Sequence, residues 1–348
     1  MEKPEKIHKL DIIDKKILAV LLKSGRIGMK ELAEVINNHY PTVINRVNKL
    51  IEIGVINKFY PVLQLPGIGI RKWMSLYLIL KPMPDEKKNE FVKEFKKNPF
   101  LIQIMELEGQ YSFTMLLVCN YIKEAYETIN YIKQVCGDYL SDLNTKTTFT
   151  ISNLNRQFFL DEEINLDKKE ITTGFQPIIN KTKLVHLGTH VKLNDKDIKL
   201  LNYLKLNARD TVEEIEEKTR IKRHVINYKI EKYLNDNLIT YFTIDINHSK
   251  LGYYQYILFL NMKGDVKKKK ILIDELYTKT KEAYHLFEYL DFWEVVVTYC
   301  VKDQKRMNEI IDDIKNRYGP DIQHQLLYIK KKHKVEPYPD VELVYPKD

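Results

Sequence analysis

The run Thr42-Val43-Ile44-Asn45-Arg46-Val47-Asn48-Lys49-Leu50, followed by Gly54-Val55-Ile56, decides how this chain is read. Val43, Val47, Leu50 and Ile51 share one helical face, and Pro41 suits the first turn, where its missing N–H would be unpaired in any case. Gly54 stops this helix, and Val55-Ile56 with Phe59 reads as a strand, the wing. Moving outward, Ile13, Ile17, Val20 and Leu21 give an apolar face to a helix over 12–23, with Gly25 behind its end as a helix stop. Leu32, Ala33 and Ile36 do the same for a short helix over 29–36, and Asn37-Asn38-His39 makes the next turn. Three short helices, a polar turn before the third and a β-ribbon predict a winged helix-turn-helix, whose third helix enters the major groove. Its outward residues are expected to be Thr42, Asn45, Arg46 and Lys49, with His39 and Tyr40 at the leading end. Arg and Asn can read guanine and adenine edges in bidentate fashion, while Lys more often meets phosphate. The competing reading of such a face is a merely solvated helix surface.

A constant offset of 183 residues carries this head onto a second one. Leu10 falls on Leu193, Asp14 on Asp197, Ile17-Leu18 on Leu200-Leu201 and Arg26 on Arg209. Val43 falls on Ile226, Val47 on Ile230, Val55-Ile56 on Leu238-Ile239 and Phe59 on Phe242, without a gap. Apolar matches at helical spacing mean a shared core, hence a shared fold. Lys222, Arg223, His224, Asn227, Tyr228, Lys229 and Lys232 lie on or near the corresponding third helix, the more basic of the two, and are expected to face outward and contact DNA. Ile44 aligns with Asn227, so that position tolerates a polar residue.

After each head comes a strand-helix-strand-strand-helix-strand order. In the first copy these are 73–80, 85–97, 100–107, 111–119, 121–135 and 143–151, with Glu108-Gly109-Gln110 as a hairpin turn. In the second they are 254–260, 268–280, 283–289, 293–300, 304–317 and 322–330. The order is ferredoxin-like. Such a fold leaves one sheet face uncovered by its own helices, and a second copy is the simplest cover. The predicted class is therefore α+β, with two winged helix-turn-helix domains (1–65 and 191–248) alternating with two ferredoxin-like domains (70–152 and 250–335). A linker fills 153–190 and a tail 336–348. Within the linker, 156–160 either extends the last strand or clamps a domain. Asp161 to Glu170 is a charged stretch, and Thr172-Thr173-Gly174 and Gln176-Pro177 read as loop.

With 348 residues, 44% hydrophobic and 30% charged, the chain can build several cores and is not compositionally disordered. A net charge of +8 favours a polyanionic partner only weakly. The three cysteines, Cys119, Cys136 and Cys300, are far apart and form neither a zinc motif nor a disulfide framework. The polar N-terminus lacks a signal-peptide core, and no apolar run is long enough for a membrane span, so a cytoplasmic location without membrane contact is expected. No metal or cofactor and no catalytic residues are expected.

The opening Leu10-Asp11-Ile12-Ile13-Asp14-Lys15-Lys16-Ile17-Leu18, then Gly25-Arg26, and the run 42–50 with Gly54-Val55-Ile56 resemble the first helix, recognition helix and wing of the Lrp/AsnC family of bacterial and archaeal regulators. Ser249-Lys250-Leu251-Gly252-Tyr253 and Lys332-His333-Lys334 look like its tandem archaeal versions. In the second head Asn237 replaces the glycine before the wing, and Arg223-His224-Val225 replaces small polar residues, which bears on specificity rather than fold. The resemblance implies a sequence-specific transcription regulator that binds double-stranded DNA, with one tandem chain mimicking a family dimer. It also implies an effector such as an amino acid near Gly109, Gln110, Tyr111 and Ser112, and a possible homo-oligomer. The matching second turn, Asp291-Phe292-Trp293-Glu294, lacks the glycine, and Trp293 is expected to pack rather than to touch a ligand. Two rivals stay open. Siroheme decarboxylases share this architecture, but the segment from Gln103 to Leu116 holds no histidine or arginine, and the matching region of the second copy offers only His285. A winged-helix adaptor recruiting basal transcription factors is the other.

Overall fold

Both heads open on reciprocal caps. Asp11 accepts from the Asp14 N–H at 2.9 Å while Asp14 accepts from the Asp11 N–H. At the 183-residue offset, Asn194 and Asp197 repeat the arrangement. Such capping boxes satisfy N–H groups that the first helical turn leaves unpaired. The computed structural model describes residues 7–154, 156–160, 191–278, 280–319 and 322–345. Along the chain, α1 (Ile12–Lys23), α2 (Met29–Val35), α3 (Tyr40–Glu52) and β1 (Ile56–Leu63) form the first head. Next come β2 (Lys72–Leu80), α4 (Asp85–Lys97), β3 (Leu101–Glu108), β4 (Phe113–Cys119), α5 (Ile122–Cys136) and β5 (Leu140–Asn153). The second head is α6 (Asp195–Asn207), α7 (Val212–Thr219), α8 (Arg223–Asn235) and β6 (Ile239–Ile246). Then follow β7 (Tyr254–Asn261), α9 (Val266–Thr278), β8 (Ala283–Tyr289), β9 (Val295–Val301), α10 (Gln304–Tyr318), β10 (Gln323–Val335) and the short α11 (Val341–Val344). They divide into two compact units, one holding both heads and the other both sheets. The charged stretch and loops expected between Asp161 and Pro177 lie outside the described residues.

In the head unit, the strand read as a local wing does something else. β1 pairs antiparallel with β6, so the ribbon is built by the two heads together. Tyr60 pairs with Thr243, its own counterpart at the 183-residue offset. Phe59 faces Ile244 and Pro61 faces Phe242, again exchanging counterparts. The register therefore has local pseudo-twofold symmetry about Tyr60 and Thr243. Arginines cross in the same manner. Arg26 donates to the Ala208 carbonyl and stacks its guanidinium 5.5 Å from the Phe242 ring. Arg209 donates to the carbonyls of Gly25 at 2.6 Å and Ile27 at 3.0 Å, and lies 5.2 Å from the Phe59 ring. Gly25 is thus not a left-handed helix stop: a Cβ there would sit 2.8 Å from the Thr243 backbone nitrogen. Its N–H reaches the Phe242 carbonyl at 2.7 Å, whereas the counterpart Ala208, which carries a Cβ, stays 3.4 Å from the Phe59 carbonyl. Phe158 is buried edge-on to Tyr253, with ring centroids 4.9 Å apart, so the segment behind β5 clamps this unit rather than extending the strand.

In the sheet unit each copy has ferredoxin-like order, β5-β2-β4-β3 and β10-β7-β9-β8. The copies join at both edges, β5 with β8 and the far half of β10 with β3, closing a barrel of eight strands. Strand alternation sorts the side chains. Leu76 and Leu78 face α4 and α5 with Phe91, Phe95, Phe113 and Ile132. Tyr77, Met105, Leu107, Tyr111, Ile257, Phe259, Tyr289 and Leu327 fill the barrel interior. The face that the ferredoxin-like order leaves bare is covered by the second copy, as the sequence led us to expect. Inside, Tyr289 donates to Ser75 at 2.8 Å and its hydroxyl lies 3.2 Å from that of Tyr77, so the phenols are paired although buried.

These contacts predict the outcome of two substitutions. Gly25→Ala forces a Cβ onto the β6 backbone and should cost about 1–3 kcal/mol. Arg209→Ala removes two hydrogen bonds and a cation–π contact, about 1–3 kcal/mol. Both should lower the melting temperature of the head unit by calorimetry, and an unchanged melt would contradict the crossed-arginine account.

Candidate nucleic-acid interface

On α3, His39, Tyr40, Asn45 and Lys49 are exposed and Thr42 is half-buried, while Val43, Val47 and Leu50 are buried beneath them. Thr42, Asn45 and Lys49 lie on the side of the helix opposite these three, while His39, its N-cap, and Tyr40 stand at its leading end. Arg46 is different. Its guanidinium binds the Asp11 carboxylate and lies 3.2 Å from Asp14 Oδ1, so it ties α3 to the cap of α1. Slight burial works to raise the Asp11 carboxyl, but the Asp14 N–H and Arg46 hold it below the ordinary aspartate value.

The second head repeats the tie and corrects one expectation. Lys229, the counterpart of Arg46, does not face outward: it is buried and ion-paired with Asp197, the counterpart of Asp14. Tyr233 donates to the same carboxylate at 2.6 Å. Burial works to raise the Asp197 carboxyl, but hydrogen bonds from Lys229 and Tyr233 outweigh it and hold the group below its usual value. Asp14 and Asp197 were missed as functional positions. The signal was present, since the offset puts acid on acid and cation on cation within otherwise apolar faces. Lys222, Arg223, His224, Asn227, Tyr228 and Lys232 remain exposed. Arg223 is bonded to Glu213 and Glu216, and Lys232 lies 3.1 Å from Asp236. Backbone geometry is shared: Asn37 and Arg220 take φ of 52° and 59° in the turn before the third helix, and Gly54 and Asn237 take 72° and 56° after it. Asn237 therefore serves the left-handed position that glycine serves in the first head.

The four residues of the hairpin turn come together, and each already has a partner. A Cβ on Gly109, at φ +127°, would meet Leu327 at 3.1 Å. Gln110 accepts from Gln325 at 2.6 Å, and Tyr111 is buried against Tyr77 in the barrel. Ser112 donates its N–H to the Leu78 carbonyl and accepts from the Leu80 N–H. In the other turn Asp291 pairs with Lys146, and Trp293 packs 5.9 Å from Phe259. His285 is half-buried, 3.2 Å from the Arg156 guanidinium. Burial first, then Arg156 and Lys332, hold it well below the ordinary histidine value. Among the described residues no cluster of His, Cys, Asp and Glu could hold a metal, and no helix is long and apolar enough to cross a membrane.

The buried tie sets a pH signature. Because the Asp197 carboxyl is depressed by folding, its contribution is present above the unfolded value, about 4, and is lost as pH falls through the folded one. Asp197→Asn leaves Lys229 buried without its carboxylate and should cost about 3 kcal/mol at pH 7. The gap between wild type and variant in calorimetric stability should narrow below about pH 4. An equal gap at pH 3 and pH 7 would rule the tie out as a source of acid lability.

A family model described as winged helix-turn-helix DNA-binding matches residues 10–57. The HTH-type transcriptional regulator FL11 of Pyrococcus furiosus is 30% identical over 106 residues, covering 30% of this chain and 68% of that protein. An uncharacterized HTH-type transcriptional regulator of Pyrococcus abyssi is 32% identical over 108 residues, 31% of this chain and 71% of its own length. Each such relative thus matches about a third of the chain. Over nearly the whole length, the fold is similar to that of the siroheme decarboxylase NirDL in co-complex with an iron-uroporphyrin III analogue. The TM-score is 0.60 over 94% of both chains at 10% identity, a likeness of fold alone. The first head with its α1 signature, and relatives at this level of identity over two thirds of their length, place the chain in the Lrp/AsnC family of helix-turn-helix transcription regulators.

Proposed function

We propose that one chain binds double-stranded DNA as a built-in pair, its two heads reading half-sites that differ. The observation that carries this is the β1–β6 ribbon, whose register about Tyr60 and Thr243 relates the heads by local pseudo-twofold symmetry. Symmetric heads in two-chain regulators meet half-sites one or more helical turns apart. Here the heads present unlike side chains: Asn45 corresponds to Tyr228 and Tyr40 to Arg223. The first head would contact DNA through His39, Tyr40, Thr42, Asn45 and Lys49. The second would use Lys222, Arg223, His224, Asn227, Tyr228 and Lys232.

The decarboxylase reading has whole-chain fold likeness behind it but not the site. The segment from Gln103 to Leu116 lacks histidine and arginine, and His285, in the matching region of the second copy, is engaged by the Arg156 guanidinium. The absorption spectrum of iron-uroporphyrin III is expected to stay the same when the protein is added, and a shifted band would favour the enzyme. Effector control through the Gly109–Ser112 turn would act beside the Gln110–Gln325 hydrogen bond, which links the two copies. Thermal unfolding with each amino acid at millimolar concentration tests it.

Two measurements test the main proposal. Selection of bound duplexes followed by footprinting should return two unlike half-sites under one chain, and two identical ones would contradict it. Affinity should fall steeply with salt. Lys49→Ala should flatten that slope by about one and weaken all sequences alike, whereas Asn45→Ala should cost about 1–3 kcal/mol at a single base pair. Binding insensitive to salt would favour the protein adaptor instead.

A further inference from the structure

The 183-residue offset exposes a change of charge beside the second recognition helix. Glu213 stands where the first head has Lys30, Glu216 where it has Ala33, and Arg223 where it has Tyr40. The two glutamates close on the arginine: Arg223 Nε donates to Glu216 at 2.7 Å and Nη1 to Glu213 at 2.9 Å. Together with Glu214, Glu217 and Arg220 they line an open hollow of about 560 Å³ at the start of α8.

In a helix-turn-helix the helix before the recognition helix crosses the sugar-phosphate backbone, and the recognition helix brings its N-terminal residues to the bases. The hollow is therefore where a phosphate strand would run. The fork of an arginine accepts a carboxylate and a phosphate in the same way, so the two compete for it. The side chains of Arg223 and Glu213 are more than half exposed, and such surface pairs add little to folding stability. The pair's main physical effect is on the charge that the head shows to a polyanion.

Resting on the DNA-binding reading above, we infer that Glu213 and Glu216 stand in for phosphate. They fill the Arg223 fork and repel the strand, so the second head is held weakly engaged and the first head supplies most of the affinity. The chain is then an unequal pair by electrostatic design of one surface, not by loss of the helix.

Titration of a fluorescein-labelled 30-base-pair duplex of mixed sequence with the full chain tests this by anisotropy. Glu213→Gln with Glu216→Gln should tighten binding about fivefold or more and steepen the salt dependence by about one. Glu90→Gln with Glu127→Gln makes the same change in net charge on α4 and α5 and should stay within about twofold. Arg223→Ala should remove most of the gain in the Glu213→Gln, Glu216→Gln background. Wild-type binding that the double substitution fails to strengthen, or a gain matched by the remote control, overturns the inference alone. Absence of duplex binding by both wild type and double variant overturns the DNA-binding reading and the inference with it.

Discussion

Each four-stranded sheet is apolar on both faces, and only one face has helices to cover it. Leu76 and Leu78 turn toward α4 and α5, while Tyr77 between them turns the other way. In β7, Leu258 and Leu260 face their helices and Ile257 and Phe259 face away. Leaving Tyr77, Phe259, Tyr289 and their neighbours in water would forfeit roughly 1.5–3 kcal/mol for each large apolar side chain. The two sheets therefore close on each other. β10 spans the seam, pairing first with β7 and then with β3. Polar groups caught inside are paired, as in the contacts among Ser75, Tyr77 and Tyr289.

The heads obey the same logic on a smaller scale. A lone wing strand would leave both edges of backbone groups unpaired. Pairing β1 with β6 satisfies the facing edge of each strand and places Arg26 and Arg209 on each other's aromatic neighbour. Within each head, an acid from the first helix holds a cation from the third, Asp14 with Arg46 and Asp197 with Lys229. These ties fix the angle at which each recognition helix is presented.

The helices of the first copy were legible because their apolar spacing is strict: α1 and α4 fall on the expected residues, and α2 ends one residue earlier. The ferredoxin-like order was legible because turns punctuate the strands. Three things were not. The wing was assigned to one head, because a short apolar strand carries no mark of its partner. Gly25 does stand behind the end of α1, but its reason was hidden, because a glycine needed for close approach looks in sequence like one needed for backbone freedom. Lys229 was placed outward, because a cation at the edge of an apolar face is ambiguous until its carboxylate is seen. Only the repeat holds that information, by keeping Asp14 and Arg46 as Asp197 and Lys229.

The register about Tyr60 and Thr243 also bears on how such a molecule can change. When two identical chains pair across a twofold axis, every substitution near the axis is made twice and meets its own image. In this ribbon each residue occurs once, and Tyr60 faces a threonine rather than another tyrosine. A substitution here alters one side while the other keeps its fit, and a bulky side chain at the centre needs only one small neighbour. The glycine at position 25 and the alanine at 208 illustrate it: one approach is tight, the other is looser, and neither had to be the same. Sequence drift in one half is thereby uncoupled from the other.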